Sequence, residues 1–356
     1  MKRPLKLSSI ALALATLTLA GWQSAGTVSS AIGAGNDTLV AVKVAKAPNP
    51  AALDTDPVWA TAKALKIELS GGKNFANGKG MTDAYLKAVY TSDMLYMLIQ
   101  YADPTDSVRR GPYQKQADGS WKKLGDPANK GGDDNVYYED KWAFLWPLGD
   151  FQTQFTKEGC AALCHEGEGK PYGNKYTPKE GQMVDMWHMK GSRTAPWGLV
   201  DDQYTDHTRY DPKTSPNAGR KGDPGTPAGD YDNIKLVNGK PEFMGRDGKA
   251  GNAGGTYYIK RGDEVPFDDS RFKAGDEVAS FIANELMGDR ADIKVVHKWS
   301  NGKITSVMSR KLVTGSKYDV QYDNLNARYP FGFAAFDNAQ VRHATSDDSS
   351  FLVFGK

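Results

Sequence analysis

Residues 295–313 read VVHKWSNGKITSVMSRKLV. Two runs rich in β-branched and apolar residues flank Asn301-Gly302, and Asn-Gly tolerates the positive φ values of a tight type I′ turn. The stretch therefore predicts a β-hairpin. The same pattern recurs outward from it. Residues 84–103, AYLKAVYTSDMLYMLIQYAD, form two β-rich runs around Ser92-Asp93. Leu65, Ile67 and Leu69 alternate on one face, and WAFLWP (142–147) and FGFAAFD (331–337) are buried-strand candidates. Helical periodicity is weak, with ASFIANELM (279–287) the best short helix. Many short strands separated by turns, without internal repeats, predict an all-β chain folded as a β-sandwich, with long loop insertions and a few short helices.

Composition divides the rest. Lys2, Arg3 and Lys6 precede an apolar run from Ile10 to Ala20. That run is too short to span a membrane and fits an export signal. We place a signal peptide at 1–25 and a flexible leader at 26–50, with the sandwich at 51–356. The expected location is periplasmic or otherwise exported, with no membrane span in the mature chain. The chain is formally +2 and near −1 without its three early cations. Such a balance gives no reason to expect nucleic acid as a partner. Residues 104–135 and 205–270 are crowded with Gly, Pro, Asp and Lys, and read as long, solvated insertions.

The only two cysteines fall in EGCAALCHEG, 158–167. A disulfide suits an oxidising compartment. Zinc would need more ligands than the neighbourhood supplies. Covalent haem needs two thiols and a histidine directly after the second, and Cys160, Cys164 and His165 supply them. Three residues separate the cysteines instead of the usual two. The adjacent histidine favours one haem c over a disulfide. His165 is then one axial ligand. The second is open on pattern alone among His188, His207, His297, His343 and methionines 183, 186, 189, 244 and 287. His207 reads as solvated, and His297 as facing out beside Lys298. Arg193 and Lys190 are candidates to pair with a haem propionate. Trp187 and Trp197 suit packing. Asp201, Asp202 and Asp206 read either as an acidic loop for a cation or as a solvated one. No hydrolase signature or phosphate loop is present.

DTDPVWATA (54–62), AVYTSDMLYMLIQYADPT (88–105), VDMWHMKGSRTAPWGLVDDQY (184–204) and FGFAAFDNAQVRHA (331–344) occur in this order. In them the chain resembles the haem-binding γ subunit of ethylbenzene dehydrogenase and its dimethylsulfide dehydrogenase and selenate reductase relatives. The resemblance implies a sandwich similar to carbohydrate-binding modules, with haem held between loops. It implies a methionine and a C-terminal lysine as ligands in typical members. Here the corresponding positions fall on the 160–165 motif and on His343. The implied site is thus Cys160 and Cys164 as attachment points, His165 and His343 as axial ligands, and His188 and Arg193 as further haem contacts. The implied work is single-electron transfer to a redox partner, a molybdenum oxidoreductase or another cytochrome, rather than catalysis by the chain itself. The alternative is a haem sensor or ligand-binding module with a displaceable sixth ligand. Covalent haem and the 205–270 insertion depart from the family pattern.

Overall fold

The 295–313 stretch is a hairpin in the computed structural model, which describes residues 37–129, 132–163 and 175–355. Asn301 (φ 52°) and Gly302 (φ 74°) make the turn, and Val295 pairs with Met308. The signal peptide, Cys164 and His165 lie outside the described residues.

Beside the short strand Ala344–Thr345, which pairs with Ala334 and Ala335, twelve strands among the described residues build the sandwich. They are β1 (Thr38–Lys43), β2 (Leu65–Leu69), β3 (Thr82–Tyr90), β4 (Met94–Ala102), β5 (Lys141–Leu148), β6 (Met183–Lys190), β7 (Asp201–Thr205), β8 (Arg220–Gly222), β9 (Lys294–Ser300), β10 (Lys303–Lys311), β11 (Tyr329–Phe336) and β12 (Ser350–Phe354). One sheet runs β8-β7-β6-β5-β11, and the other runs β12-β1-β3-β4-β10-β9, with β2 alongside β3. Strand β11 belongs to both. Its residues 332–336 pair with β5, and its residues 329–331 pair with β12. Only β1 pairs in parallel, with β12 and β3, among these strands. The leader expected at 26–50 is therefore structured from Thr38, and β1 sits in the interior of its sheet.

Alternation along each strand fills the space between the sheets. Trp142, Phe144 and Trp146 of β5, Trp187 and Met189 of β6, and Phe331 and Phe333 of β11 meet Leu86, Met97, Ile99, Ile304 and Met308 of the facing sheet. The aromatic rings interlock, with Phe144–Phe333 centroids at 4.8 Å and Trp146–Trp187 at 4.9 Å. Each fully buried side chain of this size stabilises by about 1.5–3 kcal/mol relative to exposure. His297 joins the inward set. Its Nδ1 lies 2.9 Å from Ser306 Oγ, and burial pushes its pKa down to about 4. The expectation that it faces out fails because Val295, His297 and Trp299 share the inward side of β9.

Two sequence expectations are corrected by one feature. Residues 104–135 and 205–270 are not solvated throughout. Tyr113, Trp121, Ile234, Met244 and Ile259 from these stretches join Phe272 and Ile282 in a second apolar core. Residues 279–287 contribute to it as strand Phe281–Ala283 between Tyr231–Asn233 and Ile259–Lys260, not as a helix. The apolar residues are spaced too sparsely along the chain to betray a core that forms only when distant segments meet.

Candidate functional site

Strands β5, β6, β7 and β11 turn their other face away from the core. There, cross-strand register sets residues in rows. Gly332, Leu145, Met186 and Gln203 make one row. Ala334, Ala143, His188 and Asp201 make the next, and Phe336, Lys141 and Lys190 the third. Glycine and alanines keep this floor low over part of its width.

Cys160 approaches the first row. Helix Phe151–Glu158 ends at Gly159, whose φ of +56° turns the chain where a Cβ would come within 2.4 Å of the Asp347 carbonyl. The thiol then settles over Gly332, where a Cβ would stand 2.3 Å from Sγ. Thr345 Oγ1 lies 3.8 Å from the sulfur, and burial pushes the thiol pKa up. Phe155, Ala162, Leu163 and Met186 close an apolar shell around it.

Beyond the cysteine the second and third rows open into a cavity of about 880 Å³, within the usual range for ligand sites. His188 stands on its floor and His343 at its rim, on either side of Phe336. Their ring centroids are 5.9 Å and 5.1 Å from the Phe336 centroid. His188 is 7% exposed, and neither of its nitrogens has a hydrogen-bond partner among the described residues. Burial first, then Lys190, Lys141 and Arg220, hold its pKa well below the ordinary value, so the imidazole is neutral. His343 Nδ1 lies 2.9 Å from the Val341 carbonyl oxygen; as donor, this nitrogen fixes the tautomer that carries its lone pair on Nε2.

The walls are cationic. Arg193 is already engaged, donating from Nε to Glu139 at 2.5 Å and from Nη1 to Asp230 at 3.0 Å. Lys190 pairs with Asp201 and with Asp230. Lys141 Nζ donates to the Gln340 carbonyl at 2.8 Å, and its pKa lies well below the ordinary value because it is buried beside Arg193. Lys175 and Arg220 line the same cavity and meet no acid among the described residues. Burial, then Arg220, lowers Lys175 to about 8. A cavity with surplus cations, an aromatic wall and an unpartnered buried imidazole suits a flat, partly apolar group bearing carboxylates. Haem has these features. The residues present fit it.

Of the residues singled out from sequence, the cavity gathers His188, His343, Arg193 and Lys190, with Cys160 at its edge. Met186 packs beside Cys160, whereas Met189 faces the inter-sheet core, Met244 the second core, and Met287 solvent. Trp187 also faces the inter-sheet core. Sequence reasoning missed Lys141, Lys175, Arg220 and Phe336. Lys141 and Phe336 share a cross-strand pair, and only strand register reveals that they meet. Asp201–Thr205 is a strand and not an acidic loop. Asp201 faces the cavity, and Asp202 faces the opposite side.

Fold and cavity together define a β-sandwich with a cation-lined cavity on the outer face of one sheet. The sequence profile of ethylbenzene dehydrogenase matches residues 56–347, and the chain belongs to that family. The family is one of haem-associated electron-transfer subunits of molybdenum oxidoreductases. Among solved structures, the chain is similar to a family 9 carbohydrate-binding module from Caldicellulosiruptor kristjanssonii in complex with glucose. That match has 9% identity, covers 89% of this chain and 95% of the module, and has a TM-score of 0.29. The same type of module in complex with cellotriose has 9% identity, 90% and 95% coverage, and a TM-score of 0.27. These likenesses are too distant to inform function. A search of curated proteins finds no match. No helix among the described residues is long and apolar enough to cross a membrane.

Proposed function

We propose that the chain is an exported monohaem c-type electron carrier whose haem occupies the cationic cavity. Cys160 and Cys164 form the thioether attachments, and His165 and His343 are the axial ligands. His188 with Lys141, Lys175 and Arg220 receives the propionates, while Arg193 buttresses that wall through Glu139 and Asp230. The observation that carries this reading is the placement of Cys160. Its sulfur rests on Gly332, one row of the sheet from His188, at the edge of a cavity where Lys175 and Arg220 meet no acid among the described residues.

When bound, haem supplies one-electron chemistry. The chain's own part is to hold the group by its thiols, orient His343 through the Val341 carbonyl, and compensate carboxylates with the cations of the cavity wall. Two imidazoles set a lower potential than an imidazole–methionine pair. The partner is a redox protein, a molybdenum oxidoreductase or another cytochrome. Export follows from the same reading, since covalent haem attachment belongs to the far side of the membrane and residues 10–20 carry the signal pattern.

Optical and magnetic spectra of the full chain test the ligand set. Wild-type protein is expected to be low-spin with bis-imidazole character. His343→Ala should become high-spin and bind carbon monoxide rapidly when reduced, and His188→Ala should stay low-spin. The reverse pattern would make His188 the ligand and overturn the assignment of His343.

A further inference from the structure

The opposite face of the same strands carries a second concentration of charge. Asp185 of β6 and Asp202 of β7 point inward, away from the cavity. There they meet Asp319, from the segment after β10. One carboxylate oxygen from each of these three lies within 4.8 Å of the others. Asp223, just after β8, adjoins Asp319, and Asp292 adjoins Asp202. Asp185 and Asp202 are fully buried and Asp319 is nearly so.

Arg310 is the cation that meets this group, with Nη2 3.1 Å from Asp319 and 3.8 Å from Asp185. It is itself fully buried, and Nη1 donates to the Val320 carbonyl at 3.0 Å. Among the described residues Arg310 is paired with Asp185 and Asp319, and Arg290 lies near Asp223, so two guanidinium groups stand against five carboxyl groups. Some of their oxygens are satisfied. Val320 N–H donates to Asp185 Oδ2 at 2.9 Å, and Thr314 Oγ1 donates to Asp319 Oδ2 at 2.6 Å. Others meet no N–H or hydroxyl donor among the described residues and face only other carboxyl groups, Asp223 against Asp319 and Asp292 against Asp202. Both oxygens of Asp202, both of Asp223, and one each of Asp185, Asp292 and Asp319 lack such a donor, and the buried Tyr322 hydroxyl has no hydrogen-bond partner among the described residues. Asp202 has 0% exposure, so water does not satisfy it from the surface.

Burying a polar group without a partner is costly, and burying an ionised carboxylate without one is more costly still. The cost is removed by protons or by a cation. Five carboxyl groups from five separate segments, converging with unused oxygens, form an oxygen-only donor set. Such a set suits a hard cation that accepts six to eight oxygens in flexible geometry. We propose that this carboxylate cluster on the inner face of β6 and β7 binds a divalent cation, calcium by its donor chemistry. The ion would tie the β8 end and the 319–322 segment to the two strands that floor the cavity. It does not depend on the haem reading, because its residues face the other side of the sheet.

Elemental analysis and thermal unfolding of the full chain test this. Protein equilibrated with calcium and dialysed into metal-free buffer should retain about one calcium per chain. EDTA should lower Tm. Calcium at about a hundredfold over its Kd should then raise it by roughly 5–10 °C. Asp202→Asn should lose both the ion and the response. Asp223→Asn, at the edge of the cluster, should weaken calcium binding about tenfold or more and provides a variant if Asp202→Asn does not fold. Wild-type protein that retains no calcium and whose Tm is unmoved by EDTA and by calcium overturns the proposal. Carboxyl pairs sharing protons would then balance the charge. Magnesium restoring Tm as fully as calcium overturns the assignment to calcium.

Discussion

The sulfur of Cys160 rests on Gly332, so closely that a Cβ at position 332 would stand 2.3 Å from it. Glycine is required here for space, since its φ is ordinary. This contact fixes where a thioether would start relative to the floor of the cavity.

Gly332→Ala is therefore expected to push Cys160 off the sheet. Overpacking of this kind costs about 1–3 kcal/mol. The haem-to-protein ratio of exported protein should fall, while Ala334→Gly, one row away on the same strand, should leave it near the wild-type value. An unchanged ratio in Gly332→Ala would detach the glycine from the attachment site.

Lys175 and Arg220, which meet no acid among the described residues, make a second prediction. A positive charge near the propionates favours the reduced, less positive iron. Arg220→Gln should lower the midpoint potential by on the order of tens of millivolts, as should Lys175→Met. Arg246→Gln is the control, since Arg246 is exposed and pairs with Asp263 outside the cavity. Potentiometric titration of the three variants checks this. Equal potentials in all three would place the charged group elsewhere.

Stability should depend on pH through a second acidic cluster. Asp103, Asp140 and Asp337 converge in the interior with no cation paired to them among the described residues. Burial, then Asp337, pushes Asp103 up to about 8, and burial pushes Asp337 up to about 6. Both folded values exceed the ordinary carboxyl value, so the folded state binds the extra protons. Their contribution is complete below the unfolded value, near 4, and is lost as pH rises through about 6 to 8. In EDTA, wild-type Tm should fall across that window. Asp103→Asn should flatten the fall and raise stability at pH 8 by about 1–3 kcal/mol. Thermal scans from pH 4 to 9 measure it, and parallel wild-type and variant profiles would contradict it.

How far the sequence reveals this molecule depends on the range of the pattern involved. The 295–313 and 84–103 hairpins are legible because alternation and turn chemistry are local. Residues 281–283 misled because a short apolar run suits helix or strand equally. The second core is hidden because Tyr113 and Ile282 become neighbours only through tertiary pairing. His188 and His343 stand out as rare residue types. Lys141, Lys175 and Arg220 do not, because one lysine in a charged chain resembles another until register turns it into a cavity. The roles of Asp201 and Asp202 separate only once they are known to lie on a strand, which sends successive side chains to opposite faces.

The central claim is that haem is bonded to this polypeptide through Cys160 and its partner thiol. Intact mass of the exported, processed chain, taken after acid–acetone extraction, tests it most directly. The account predicts a chain heavier than its amino acids by one haem, with the colour remaining in the protein fraction. A mass equal to the bare polypeptide, with all pigment in the solvent, would contradict it.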